Sequence, residues 1–300
     1  MATIEPTGQT LGATVHGIDL HRDLSRADFG LILRALGEHG VLRFPGQALD
    51  APALKAFSER FGDLQVITGI PHHEPGIPAV TTLSNIKVNG RHIGAPDAGQ
   101  SWHTEMSYNR TIGFVNVLSA FEVPVRDGRV LGATEFCNTQ AAAADLPADI
   151  IARLDGRTAT HDIEYYWEYM RREKGSTRPP LTDEQKRQRP PVHHKVLMTH
   201  PITGRRVIYV NPGFTTRIDG MAEDESATML RLLLDHVFQP KYRYVHEWQK
   251  GDLLLWDNIG SWHYARPDYR DDEPRLMKRC QVMASKIFDP AFLREHLHAA

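Results

Sequence analysis

The sequence SWHTEMSY, residues 101–108, carries the strongest signal in the chain, and its partner is the distant segment WDNIGSWHYARPDYRDDEPRLMKR, residues 256–279. In an extended strand, side chains two residues apart point to the same face. His103 and Glu105 are therefore expected to project side by side, and His263 would complete a set of two imidazoles and one carboxylate. Such a set, with open positions opposite, suits a non-haem Fe(II) oxygenase.

The pattern of a histidine, any residue and an acidic residue is common by chance, because the chain has 16 His and 37 acidic residues. It occurs three times, beginning at His21, His72 and His103. The first lies just before a predicted helix cap, and the second lies in a proline-rich loop. Only the third is followed by an apolar strand, at 114–121, so the third is the candidate metal motif.

Composition excludes several classes of protein. Three hundred residues allow one large domain or two small ones, and 41% hydrophobic with 24% charged residues is typical of a soluble globular protein. A formal charge of −2 gives no reason to expect nucleic acid or an anionic membrane as partner. No apolar run approaches bilayer length and no signal segment is recognised, so a cytoplasmic location is expected. Cys137 and Cys280 have no C-x-x-C spacing and are predicted to be free thiols.

Short strands and turns dominate the local patterns. Ser25 with an acid at Asp28 predicts the start of a helix that ends at Gly40, and a second helix is predicted at 51–61. The runs 196–199 and 207–210 predict a hairpin. Helices do not alternate regularly with strands. The sequence therefore favours an α+β fold, a double-stranded β-helix (jelly roll) with flanking helices.

Residues 1–300 are expected to form a single domain with an insertion at about 157–192. That segment combines charge, proline and an aromatic run at 165–169 without clean periodicity, which favours a mobile surface excursion. Alternatively, the aromatic run packs over a pocket as a lid.

The strand that begins at Arg275 carries an unusual mixture of residues. Alternation places Arg275, Met277, Arg279 and Gln281 on one face. That face is either solvated or turned inward, where the two arginines would form an anion site.

Several segments together resemble one family along most of the chain. These are the N-terminal run from GATVHGIDL to SERFGDL, WHTE at 102–105, Gly-Ala-Thr at 132–134, and WDNIGSWHYARPDY followed by RLMKR. Their order and spacing are similar to those of the taurine dioxygenase-like (TauD/TfdA) family of Fe(II)- and 2-oxoglutarate-dependent oxygenases. The resemblance implies an enzyme that uses Fe(II), 2-oxoglutarate and O2 to hydroxylate a small organic molecule, with release of succinate and CO2. It also implies a homo-oligomer, either a dimer or a tetramer.

The resemblance further implies roles for individual residues. His103, Glu105 and His263 would hold the iron, Thr134 would hydrogen-bond 2-oxoglutarate, and Arg275 would pair with its far carboxylate. A guanidinium fork suits that carboxylate. Glu105 stands where the family usually has aspartate, and a monodentate glutamate can still reach a metal. The retained carboxylate argues against the halogenase variants, which leave that position open.

For the substrate, the resemblance implies that Arg279 binds an anionic head, with Trp102 and Tyr108 as candidate walls of the pocket. Where taurine dioxygenase has polar substrate contacts, this chain has Ile67, Ile70 and Gly99. Taurine is therefore not expected as the substrate. A partly apolar, anionic substrate is expected instead, with Ile70 among its contacts.

Three alternatives stay open. A zinc hydrolase could use the same ligands, although it would not need Arg275 and Arg279 and normally shows a helical H-E-x-x-H. A non-catalytic jelly-roll binding protein would have the fold without needing the ligands. Within the oxygenases, the outcome could be desaturation or cyclisation.

Overall fold

The computed structural model describes residues 2–66, 72–176 and 178–297, and these residues form a mixture of helix and sheet. The helices are α1 (Arg26–His39), α2 (Ala51–Glu59), α3 (Thr139–Ala144), α4 (Ala148–Leu154), α5 (Ile163–Glu173), α6 (Asp183–Gln188), α7 (Glu223–Val237) and α8 (Pro290–Leu297).

The first ten strands are β1 (Thr3–Pro6), β2 (Ala13–His16), β3 (Val41–Phe44), β4 (His73–Glu74), β5 (Ile77–Ser84), β6 (Lys87–Val88), β7 (Arg91–His92), β8 (Gly113–Glu122), β9 (Val125–Arg126) and β10 (Arg129–Val130). The others are β11 (Thr134–Asn138), β12 (Thr158–His161), β13 (Val192–Lys195), β14 (Leu197–Thr199), β15 (Arg206–Ile208), β16 (Thr215–Ile218), β17 (Arg243–His246), β18 (Leu253–Asp257), β19 (Ser261–Ala265) and β20 (Leu276–Met283).

Eight strands form the main sheet, in the order β1-β2-β3-β18-β8-β20-β5-β4. All neighbouring pairs are antiparallel except β2 and β3. β8 lies in the middle and is almost entirely buried, which agrees with its apolar sequence GFVNVLSAFE. The sheet therefore has covered faces on both sides of its centre.

A three-stranded sheet, β17-β11-β19, lies across the core from the main sheet. One buried cluster joins Leu118, Trp256 and Met277 of the main sheet to Phe136 and Tyr244 of the smaller one. Because side chains of both sheets fill the same cluster, the two sheets face each other.

Helices α1 and α2 cover the other face of the main sheet. Phe29 of α1 and Phe57 of α2 pack in one buried cluster with Phe44 of β3. The predicted ends of α1 are confirmed, because the Ser25 side chain accepts a hydrogen bond from the Asp28 amide, and Gly40 ends the helix at φ +67°. The helix predicted at 51–61 is α2, which ends at Glu59.

Residues 157–192, predicted as a mobile surface excursion or a lid, contain regular secondary structure. The segment contains β12, α5, α6 and the first residue of β13, and β12 lies between β13 and β16 in a third sheet. Both helices are short and capped: Asp162 caps α5, and Thr182 forms a capping box with Gln185. A salt bridge of 2.5 Å between Glu164 and Lys186 joins them. Local caps, rather than a long apolar period, therefore define these helices.

A buried contact between a carboxylate and an imidazole fixes the turn that leads into β19. Asp257 and His200 are both fully buried, and their side chains are 3.0 Å apart. The Asp257 carboxylate also accepts hydrogen bonds from the amides of Ile259 and Gly260, at 2.9 and 2.8 Å. One carboxylate thus determines how the chain enters the strand that carries His263.

No helix among the described residues is long and apolar enough to cross a membrane.

Replacing Asp257 with alanine should lower the free energy of unfolding by about 3 kcal/mol or more, because the change leaves several buried donors without an acceptor. Urea denaturation followed by circular dichroism measures this. The Ser25→Ala variant removes only a helix cap and should cost about 1 kcal/mol. Equal losses in the two variants would contradict this account of the turn.

Candidate active site

An isolated β-bridge brings the two predicted metal histidines together. The His103 amide donates to the His263 carbonyl at 3.2 Å, and the His263 amide donates to the His103 carbonyl at 2.8 Å. The two ring centroids are 4.2 Å apart. One ligand atom from each of His103, Glu105 and His263 lies within 4.8 Å of the others, and all three residues are buried. The structure therefore brings the three predicted ligands to one point.

Both histidines are in the state that binds metals. Nδ1 of His103 donates to the Ser101 carbonyl at 2.7 Å, which leaves the lone pair of Nε2 free. Burial lowers the pKa of His103, and it lowers the pKa of His263 well below the usual value, with the positive charge of Arg279 adding to the effect at His263. Both imidazoles are thus neutral at pH 7 and can act as ligands.

Glu105 is a buried carboxylate that is held ionised. Its Oε2 accepts from Asn116 Nδ2 and from Arg279 Nη1, both at 3.1 Å. Burial alone raises the pKa of Glu105, but the charge of Arg279 and the Asn116 hydrogen bond more than offset it, so the pKa is lowered. One carboxylate and two neutral imidazoles fit a divalent metal such as iron.

The two residues predicted to contact 2-oxoglutarate are both buried. Thr134 begins β11, and its hydroxyl accepts a hydrogen bond from Trp248 Nε1 at 3.0 Å. The Arg275 guanidinium lies 5.9 Å from the ring of Tyr269, and its Nε has no hydrogen-bond partner in 2–66, 72–176 or 178–297. A buried cation with an unused donor is costly, so Arg275 fits an anionic ligand.

Gly132 gives Arg275 its room. Its φ is +70°, which disfavours other residues, and a Cβ atom there would lie 3.3 Å from Arg275 Nε and from the Tyr269 ring. This requirement explains the glycine of the Gly-Ala-Thr motif.

The arginine face of β20 points inward. Arg275, Met277 and Gln281 are buried, and the Arg279 side chain is only 12% exposed. Of the two interpretations of this strand, the inward face is therefore confirmed. Arg279 contacts the Glu105 carboxylate, so it links the substrate side of the site to the candidate metal ligands.

A cavity of about 150 Å³ opens beside His103, Glu105 and Arg279. Tyr108, predicted as a wall, lines it and packs on Phe214 at 4.8 Å between ring centroids. The cavity has the size that accepts a single benzene-like body.

Helix α5 closes another side of this cavity. Tyr166 and Trp167 line it, and the Tyr166 ring lies 4.9 Å from Phe214 and 6.2 Å from His103. The aromatic run predicted as a possible lid thus borders the site. Its other members, Tyr165 and Tyr169, are exposed.

Trp102 is not at this cavity, so its predicted role as a wall is corrected. Its side chain stacks on Tyr264 and meets Phe238 edge-on, both at 5.5 Å between ring centroids. The extended strand expected at 101–108 is not formed: His103 makes an isolated bridge and Glu105 lies in a turn. Gly99 lines the cavity, whereas Ile67 and Ile70 lie outside the described residues.

Sequence reasoning missed several residues of the site. Asn116 could have been noticed as an amide inside an apolar strand. Phe214, Arg178 and Arg189 lie on separate segments that show no shared pattern, and only the fold brings them to the cavity.

Comparison with known proteins gives the class of this chain. Residues 3–281 match the family described as taurine catabolism dioxygenase TauD, TfdA family. The chain is 31% identical over 292 residues to pentalenolactone F synthase of Streptomyces arenae, with 95% of each chain covered. It is 30% identical over 262 residues to the alpha-ketoglutarate-dependent 2,4-dichlorophenoxyacetate dioxygenase of Burkholderia sp. (strain RASC), with 84% of each covered.

A solved structure of AAD-2 in complex with Mn(II) and N-oxalylglycine is similar in fold, with a TM-score of 0.75 and 26% identity over 94% of this chain and 97% of that one. The fold and the buried histidine and carboxylate set define a 2-oxoglutarate-dependent dioxygenase, alpha-ketoglutarate being the same compound. The chain belongs to the TauD/TfdA family.

Replacing His263 with alanine should weaken Mn(II) binding by about 100-fold or more, because one of three ligands is lost. Electron paramagnetic resonance, which detects the unbound Mn(II) ion, measures the affinity. The matched control is His193→Ala, since that imidazole is half exposed and bonded to Asp219. Equal affinity in the two variants would show that the metal binds elsewhere.

Proposed function

We propose that this enzyme uses Fe(II), 2-oxoglutarate and O2 to hydroxylate a small, anionic and partly apolar molecule. The observation that carries the proposal is the convergence of His103, Glu105 and His263, whose ligand atoms lie within 4.8 Å of one another. The overall reaction places one oxygen atom in the hydroxylated product and the other in succinate, with loss of CO2.

The three candidate ligands would hold the iron, which supplies O2 activation when bound. The chain's own task there is to keep its ligands deprotonated. Burial does so for both imidazoles, and Arg279 does so for Glu105. Asn116 fixes the carboxylate through a second hydrogen bond, so the ligand set is oriented before a metal arrives.

Arg275 and Thr134 would hold 2-oxoglutarate. The buried guanidinium offers the unused Nε donor to the far carboxylate, and the Thr134 hydroxyl, already an acceptor for Trp248, has its own proton to donate. The relative named as a 2,4-dichlorophenoxyacetate dioxygenase acts on an aromatic carboxylate. Such a molecule matches a cavity with aromatic walls and arginines, which supports the proposed substrate class.

We infer the same domain organisation as from the sequence: one domain, with a jelly-roll core formed by the two facing sheets and a lid at about 157–192. Tyr166 and Trp167 support the lid, because they reach the cavity from α5. The Trp167 indole donates to the Pro179 carbonyl at 2.7 Å, which joins α5 to the following loop. A homo-oligomeric, cytoplasmic enzyme stays the expectation.

If α5 is a lid, its backbone amides should exchange with deuterium about tenfold more slowly in the loaded protein, because opening would require release of the substrate. The loaded protein contains Mn(II), 2-oxoglutarate and a substrate at ten times its dissociation constant. Hydrogen-exchange mass spectrometry measures this. Helix α7 serves as the internal reference. A lid is contradicted if α5 and α7 respond alike.

Purified enzyme supplied with Fe(II), 2-oxoglutarate, O2 and an anionic substrate of the proposed class should release succinate. The Arg275→Ala variant should show a KM for 2-oxoglutarate raised about 30-fold or more, because the buried carboxylate loses its cation. Chromatography of succinate gives both results. Mn(II) binding should not change, since Arg275 is not a candidate ligand.

The control for that experiment is Arg22→Ala, whose side chain is 83% exposed. An unchanged KM in Arg275→Ala would refute the assignment of the carboxylate site. Wild-type protein that forms no succinate, across aromatic and alkyl carboxylates and sulfates, would refute the proposed function.

A further inference from the structure

Three arginines line the cavity beside the candidate metal ligands: Arg178, Arg189 and Arg279. Two of them already have a carboxylate partner. Arg279 pairs with Glu105 at 3.1 Å, and Arg178 pairs with Asp97 at 2.9 Å. The cavity therefore contains one more arginine than carboxylates to match.

Arg178 is held on several sides. Its guanidinium lies 4.8 Å from the ring of Trp167, and its Nε donates to Ser176 Oγ at 2.8 Å. The Arg178 carbonyl accepts from Arg171 Nε at 3.2 Å. These contacts neutralise and fix Arg178, so it forms part of the wall.

Arg189 differs, because its side chain has no ion pair or hydrogen bond with the residues that the structure describes. Its backbone is fixed, since the amide donates to the carbonyls of Gln185 and Lys186 at 3.2 Å each and ends α6. Its charge reaches Tyr108 on the other wall: burial raises the pKa of Tyr108, and the charge of Arg189 opposes that rise. A partly buried cation without a partner favours an anion that arrives with a ligand.

We propose that Arg189 binds the anionic group of the substrate and so sets its class, which is a monoanion with one ring or a short alkyl chain. This rests on the proposed function and deepens it. A carboxylate, sulfonate or sulfate accepts two hydrogen bonds from a guanidinium. The apolar body would lie against Ile163 and Phe214, in a cavity of about 150 Å³.

Arg279 is tied to the candidate metal ligands, because its Nη1 donates to Glu105 at 3.1 Å. Its Nε is buried without a hydrogen-bond partner among the described residues, so Arg279 can add a second contact to the same anion. Arg189 makes no bond to the candidate ligands. An anion at Arg189 therefore leaves the hydrogen bonds of Glu105 in place.

The test measures binding by isothermal titration under nitrogen, with protein loaded with Mn(II) and 2-oxoglutarate. The probes are phenoxyacetate and hexyl sulfate, each matched to a neutral analogue, phenoxyacetamide and hexanol. At least one anion should bind at least about tenfold more tightly than its neutral analogue. Arg189→Gln should weaken that binding about 10- to 100-fold, the range for hydrogen bonds to a charged group, and should leave binding of the neutral analogue unchanged.

The matched control is Arg187→Gln, two residues away on α6, where the arginine is 69% exposed and paired with Glu184. Arg189→Lys should recover part of the affinity, because a lysine restores the charge without the fork. The proposal is overturned if neither anion binds more tightly than its neutral analogue, if no probe binds, or if the Arg189→Gln and Arg187→Gln variants bind the anion equally.

Succinate formation separates failure of this proposal from failure of the proposed function. Wild-type protein and Arg187→Gln should both convert 2-oxoglutarate slowly to succinate with Fe(II), O2 and ascorbate before any probe is added, because ascorbate supplies the two electrons that reduce the second oxygen atom to water. Succinate without selective anion binding overturns only the role of Arg189. A complete lack of succinate with every probe overturns the oxygenase function itself.

Discussion

The backbone bridge between His103 and His263 is the constraint on which the site depends. Two hydrogen bonds, of 3.2 and 2.8 Å, join segments from opposite halves of the chain. Neither segment can hold a metal alone, because each contributes only part of the ligand set. β11 holds β19 in register on the other side, with Phe136 opposite His263. The sheets must therefore be assembled before the three ligands can converge, which makes the fold a condition of the chemistry.

Buried charge is the second organising feature, and β20 carries much of it. Arg279 neutralises Glu105 through Nη1, whereas the Arg275 side chain has no carboxylate partner among the described residues, and the Nε of each arginine is a buried, unused donor. The first arginine stabilises the protein's own carboxylate, and the second is suited to the carboxylate of a cosubstrate. The arginines on one face of the strand are thus suited to two different anions. The alternating residues Cys280 and Val282 point to the other face, where they make apolar contacts.

Parts of this site could be predicted from sequence because they depend on local periodicity or on motif order. The inward face at Arg275 and Arg279 follows from the alternation of a strand. The proximity of His103 and Glu105 was predicted from the same rule, but only His103 forms a β-bridge and Glu105 lies in a turn, so it depends on the turn and its packing. At 157–192, composition indicated a surface excursion but not its helices, because these short helices are defined by their caps.

The remaining residues, Phe214, Arg178 and Arg189, could not be predicted, because their proximity depends on tertiary packing rather than on spacing. Their placement also divides the site into two parts with different supports. The candidate metal ligands and Arg275 lie on or beside β11, β19 and β20, between the two main sheets. Arg178 and Arg189 lie in the segment of the chain that connects β12 to β13, two strands of the third sheet. Changes to the second part can alter the charge and shape of the cavity without disturbing the backbone that holds the first. The candidate metal ligands and the cavity arginines Arg178 and Arg189 are therefore held by separate parts of the fold.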